Sequence, residues 1–81
     1  MEMAEPEIRD ILLAESDEFR ALAEQHAEYE SRLEEIASKH LPTEQERFEE
    51  IEIKKHKLQL KDQMAAMIRD YRREQPAAVA H

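Results

Sequence analysis

Not one of the 81 residues is glycine. Glycine is the residue that takes positive φ without steric cost, so its absence removes the tight primed turns that close β-hairpins. It also removes the glycine-rich loops that bring backbone N–H groups against a phosphate. What remains is a chain rich in Ala, Glu, Leu, Lys, Arg and Gln, the residues with the highest helix propensity. The expected fold class is all-α, one small domain over residues 1–81.

Size and charge narrow the function classes. A chain of 81 residues buries too little surface to enclose a deep reaction cavity, so catalysis by one copy alone is not expected. With no cysteine there is neither a disulfide framework nor a thiolate metal site. A net charge of −8 opposes general affinity for nucleic acid. Residues 1–15 carry acids at positions 2, 5, 7, 10 and 15 and no apolar run longer than Ile11 to Ala14, unlike a secretory leader. No apolar stretch approaches the roughly 20 residues that cross a bilayer. These features point to a soluble, cytoplasmic protein without membrane insertion and without a small-molecule substrate.

The spacing Phe19, Leu22, His26, Tyr29, Leu33, Ile36, His40 keeps one stripe on one side of a helix, predicted over residues 16–40. Extended backward, the frame passes through Glu15, Leu12 and Ile8. Ser16 followed by Asp17 and Glu18 reads as an N-cap with acids in the first turn. The segment before it either forms a short helix over 6–14, started by Pro6, or continues into the long one; a bend near residues 14–17 is the preferred reading. Pro42 ends the helix by restricting Leu41 and lacking an N–H. Thr43 and Glu46 then form a capping box for a second helix over 44–73. A connection of about three residues turns the helices back on each other as an antiparallel, coiled-coil-like hairpin. Residues 76–81 are expected to fray.

The second helix has two apolar sides. Phe48, Ile51, Leu58 and Ala65 lie on one, and Ile53, Leu60, Met64, Met67 and Tyr71 on the other; at 100° per residue Ile51 and Ile53 are about 200° apart. One side suffices to close a hairpin. The expectation is that the first packs within the chain. The second, Ile53, Leu60, Met64, Met67 and Tyr71, then forms a protein interface, most simply in a twofold homodimer with a four-helix core. The alternative is that Ile8, Ile11, Leu12 and Leu13 fold over the part of that face near Met67 and Tyr71.

Charge is segregated as well. Residues 15–35 hold eight acids and two arginines, whereas residues 53–61 hold four lysines and no acid. Turning about residues 41 and 42 places Lys55 near Glu28, and Lys54 or Lys57 near Glu24 to Glu30. Internal charge complementation is the preferred account of the lysines. A charged-partner patch of Lys54, Lys55, Lys57 and Lys61 is the competing one, as in a nucleic-acid-binding adaptor. Lack of arginine and of interleaved aromatics in that segment disfavours nucleic acid.

No catalytic, cofactor-binding or metal-ligating set emerges. His26 and His56 with Glu24 or Glu30 offer nitrogen and oxygen ligands only if the hairpin register happens to unite them, since neither helix carries an H-x-x-x-H or E-x-x-H pair on one face. Ser16, Ser31 and Ser38 lack an adjacent base and oxyanion donors.

Residues 53–62, I-K-K-H-K-L-Q-L-K-D, resemble the L-K-K-x-K-L-x-L-K-D segment of the YdcH-like family of small bacterial proteins, with Ile53 where leucine is usual. His26, Tyr29, Leu33 and Ile36 are similar to that family's H-x-x-L-x-x-x-I-x-x-L run, with Tyr29 in place of an aliphatic residue. The resemblance spans about residues 17–69. It implies a short bacterial helical hairpin of no established activity, and so no catalytic residues to carry over.

Overall fold

A computed structural model describes residues 4–74, all helical apart from their connections. Helix α1 spans Glu5–Glu15, α2 Asp17–Ala37 and α3 Glu44–Arg73. The rod they build measures 57 × 20 × 18 Å. The frayed tail expected over 76–81 lies outside the described residues.

Each boundary has a local cause. Pro6 sits in the first turn of α1, where its missing N–H costs nothing. At Ser16 the backbone becomes extended, and its Oγ accepts the Phe19 N–H at 3.0 Å to cap α2. Arg20 fastens this corner. Its Nη1 donates to the carbonyl of Leu13 at 3.0 Å, one of the carbonyls that α1 leaves unbonded at its end, and its Nη2 pairs with Asp17. The segment before Ser16 is therefore a separate helix, and the bend falls at one residue.

Helix α2 ends at Ala37, three residues before the expected position. The Ser38 hydroxyl donates to the Glu35 carbonyl at 2.8 Å and the Lys39 N–H donates to Ile36 O at 3.1 Å, tightening the last turn ahead of Pro42. The connection consequently runs from Ser38 to Thr43. The capping box at its far side is complete: the Glu46 N–H donates to Thr43 Oγ1 at 3.0 Å, and the Thr43 N–H donates to Glu46 Oε1 at 2.8 Å.

This cap should be measurable. The Lys39 ammonium, aided by the Thr43 N–H, lowers the Glu46 carboxyl from an ordinary 4.5 to about 2. A depressed carboxylate stabilises the fold fully above its unfolded value, and that contribution disappears as pH falls from about 4.5 to about 2. Thr43→Ala is expected to cost about 0.5–2 kcal/mol at neutral pH. Lys39→Ala, which removes the ammonium, should flatten the acid limb of the stability curve over that interval, whereas Thr43→Ala keeps both that ammonium and the backbone N–H and should leave the limb in place. Thermal unfolding across pH 2–6 checks both; a variant indistinguishable from the parent would remove the cap's role.

Helices α2 and α3 run side by side in opposite directions. Lys39 pairs with Glu46 beside the turn, Arg32 grips Glu49 through Nε and Nη2 at 2.7 and 2.8 Å, and Lys57 pairs with Glu30 further along. The Tyr29 and His56 rings stack at 6.0 Å. Helix α1 folds back from Ser16 onto the end of this pair remote from the turn. There Ile8 and Leu12 meet Phe19 of α2 and Met64 and Ile68 of α3 in one cluster, with Leu13, Leu22, Ala23, Met67 and Tyr71 against it. Ile8 and Phe19 are wholly buried. Two helices offer a single line of contact, and the third closes a three-sided interior.

The two sides of α3 are thereby exchanged relative to expectation. Ile53, Leu60, Met64 and Ile68 are buried within the chain, and Met67 and Tyr71 pack on the same cluster. Phe48, Ile51 and Leu58, expected to face α2, are 64%, 60% and 60% exposed. The physical reason is continuity. The side holding Ile53 stays apolar through Leu60, Met64, Ile68 and Tyr71, long enough to serve both α2 and α1. The side holding Phe48 passes through Lys55, Asp62 and Arg69.

Candidate protein-interaction face

Helical periodicity places Phe48, Ile51, Lys55, Leu58, Asp62, Ala65 and Arg69 in a single row along α3, and all seven are exposed. The row climbs about 32 Å at 1.5 Å per residue. Three large apolar side chains in line are more than scattered surface leucines require explaining. On an isolated chain the row faces water, since α1 and α2 both occupy the opposite side of α3.

The lysine cluster borders this row. Lys54 lies 3.7 Å from Glu50 and Lys55 3.4 Å from Glu52, each within its own helix, and Lys57 reaches across to Glu30. Lys61 makes no ion pair among the described residues. Of the cross-helix contacts expected for the cluster, Lys57 with Glu30 is present, whereas Lys55 turns to Glu52 in place of Glu28. The lysine stems frame a groove of about 260 Å³ floored by Leu33 and Leu58. Lys57 holds the Glu30 carboxyl below the ordinary carboxylate value, chiefly through their hydrogen bond. Three of the four cations are thus already matched by carboxylates.

The histidines serve different surroundings. His56 stacks on Tyr29 beside a groove of about 230 Å³ edged by Gln25, Gln59 and Gln63. His26 is partly buried and its Nε2 makes no hydrogen bond among the described residues. Burial pushes its pKa below the ordinary value, Glu30 opposes the change, and Lys57, Lys61 and Arg9 add to it. Among the described residues no group of three or more His, Asp or Glu is placed to hold a metal ion. No described helix is long and apolar enough to cross a membrane.

A family model described as a protein of unknown function, DUF465, matches residues 19–68. The chain belongs to the DUF465 family. This family includes the YdcH-like small helical proteins, in agreement with the resemblance carried by residues 53–62. No curated protein and no solved structure matches the chain. The DUF465 match covers all of α2 from Phe19, the turn, and α3 through Ile68, so it takes in the Phe48 row up to Ala65 and the whole lysine cluster. Helix α1 precedes it. The sequence-predicted interface residues Ile53, Leu60 and Met64 fall inside the match as interior residues, and periodicity alone does not single out the exposed row because two apolar stripes of similar strength compete on one helix.

Proposed function

We propose that this DUF465 chain is a non-catalytic helical interaction module that engages a second copy of itself or another protein through the exposed side of α3. The observation that carries the reading is the alignment of Phe48, Ile51 and Leu58, each at least 60% exposed, in one row on the side of α3 away from its buried residues. Burying one such side chain is worth about 1.5–3 kcal/mol, so a partner that covers all three gains an appreciable share of a binding free energy. The α2–α3 hairpin and its α1 clasp act as the rigid support. Association through this side would set α3 directly against the partner, with α1 and α2 on its far side.

Nucleic-acid binding through Lys54, Lys55, Lys57 and Lys61 is the second reading, supported by the lysine-framed groove. It is weaker, because Lys54, Lys55 and Lys57 already have carboxylate partners. Titration with single-stranded RNA or duplex DNA separates the two: a complex that weakens steeply with salt favours the lysines. The leading reading is tested by placing a photo-crosslinking residue at Ile51 or Leu58 in cells, with Glu28 on α2 as the comparison position. Protein adducts, to this chain or another, are expected at positions 51 and 58 in excess of position 28. Equal yields at all three would defeat it.

A further inference from the structure

The exposed row of α3 is patterned in charge as well as hydropathy. From its start it reads Phe48, Ile51, Lys55, Leu58, Asp62, Ala65, Arg69, with Leu58 at the midpoint. Reversed about Leu58, the sequence of chemistries becomes its own complement. Ile51 meets the small Ala65, Lys55 meets Asp62, and Phe48 meets Arg69. We infer that the partner for this face is a second copy of the chain, docked through α3 in antiparallel orientation with a twofold axis beside Leu58. The inference rests on the interaction-module reading above and names its occupant.

Such a twofold contact is isologous, so each pairing occurs twice and Leu58 meets Leu58 of the second copy once at the axis. Two Lys55–Asp62 pairs flank that centre. Lys55 now leans on Glu52 at 3.4 Å, with both side chains substantially exposed, and Asp62 makes no ion pair among the described residues. Both are free to re-pair. Further out, Ala65 leaves room for Ile51 to approach, as a small residue opposite a large one does in packed helix pairs. At each end the guanidinium of Arg69, which also makes no ion pair among the described residues, comes over the Phe48 ring.

A parallel arrangement has none of this. It would set Lys55 against Lys55 and Asp62 against Asp62, so the charge pattern selects direction as well as partner. The antiparallel pair has two kinds of unfavourable neighbour, Lys54 beside Lys61 of the second copy, where Glu50 already offsets Lys54 within its own helix, and the exposed Arg47 beside Arg69 of the second copy at each end. An unrelated acidic helix would match Lys55 and Arg69 but leave Asp62 opposed by like charge. A second copy satisfies every position of the row.

The absence of cysteine makes the register directly readable, because single introduced thiols have no competitor. Light scattering should give twice the 9.6 kDa chain mass at micromolar concentration, falling to the chain mass for Leu58→Glu. Under mild oxidation Leu58→Cys is expected to form a disulfide-linked dimer. Ile51→Cys should couple with Ala65→Cys when the two variants are mixed, and not with itself. Lys55→Asp and Asp62→Lys should each weaken dimerisation by about tenfold, and the double variant should recover most of the loss.

A chain mass of 9.6 kDa throughout would overturn the inference, as would self-coupling of Ile51→Cys or a double charge variant no better than the singles. If the free chain is monomeric while position 51 yields adducts to a different protein, the twofold contact fails and the interaction-module reading survives. If position 51 yields no excess adduct either, both fail.

Discussion

Phe19→Ala is expected to lower stability by about 3–5 kcal/mol. The side chain is wholly buried at the point where all three helices meet, against Ile8 and Leu12 of α1 and Met64 and Ile68 of α3. Truncation removes a ring from an interior too narrow to collapse around the loss. A small domain has about 5–15 kcal/mol in total, so a chain of this size would sit near its unfolding threshold. Because the ring joins α1 to the other helices, α1 should be the first part released. Hydrogen exchange should show residues 5–15 losing protection ahead of the α2–α3 turn, toward which Ile36 and Ile53 are buried apart from that cluster. Uniform loss along the whole rod, or a melting temperature near the parent's, would contradict the packing described.

The second expectation is a contrast between two leucines two residues apart. Leu60 is 7% exposed and Leu58 60%. Leu60→Glu carries a carboxylate into the contact between α3 and α2 and should cost more than about 4 kcal/mol. Leu58→Glu puts the same carboxylate on the outer face of the isolated chain. Its direct effect on the folded monomer should stay within about 0.5 kcal/mol. Circular dichroism melts run at low protein concentration, where association contributes least, compare the two. A reversed order would mean that α3 is rotated by about half a turn and that the sides of the helix are assigned wrongly.

That contrast also shows which parts of the molecule are written locally in the residues. The start of α2 rests on Ser16 and the first-turn acids, and the start of α3 on Thr43 and Glu46. These two caps act over three or four residues, and both are readable from short-range chemistry. The antiparallel run of α2 and α3 follows from Pro42 and a short connection. Its charge register is partly legible too, since Lys57 and Glu30 meet where opposite segregation of acids and lysines places them. The candidate face was legible as a pair of alternatives, two stripes on α3 of which one had to remain outside.

Choosing between those stripes lay beyond local pattern. Periodicity measures how apolar residues cluster around one helix axis, and by that measure Phe48, Ile51 and Leu58 rank beside Ile53, Leu60 and Met64. The decision depends on what α1 requires. Turned back at Ser16 and held by Arg20 on the Leu13 carbonyl, α1 brings Ile8 and Leu12 to the remote end of α3. Only the stripe that continues to Ile68 and Tyr71 has apolar partners to offer there; the other ends in Asp62 and Arg69. Local chemistry therefore determined the helices, their caps and their direction. Which side of α3 became interior was settled by a contact among residues more than fifty positions apart in the chain, where burying one continuous apolar surface against both α1 and α2 outweighs burying an interrupted one.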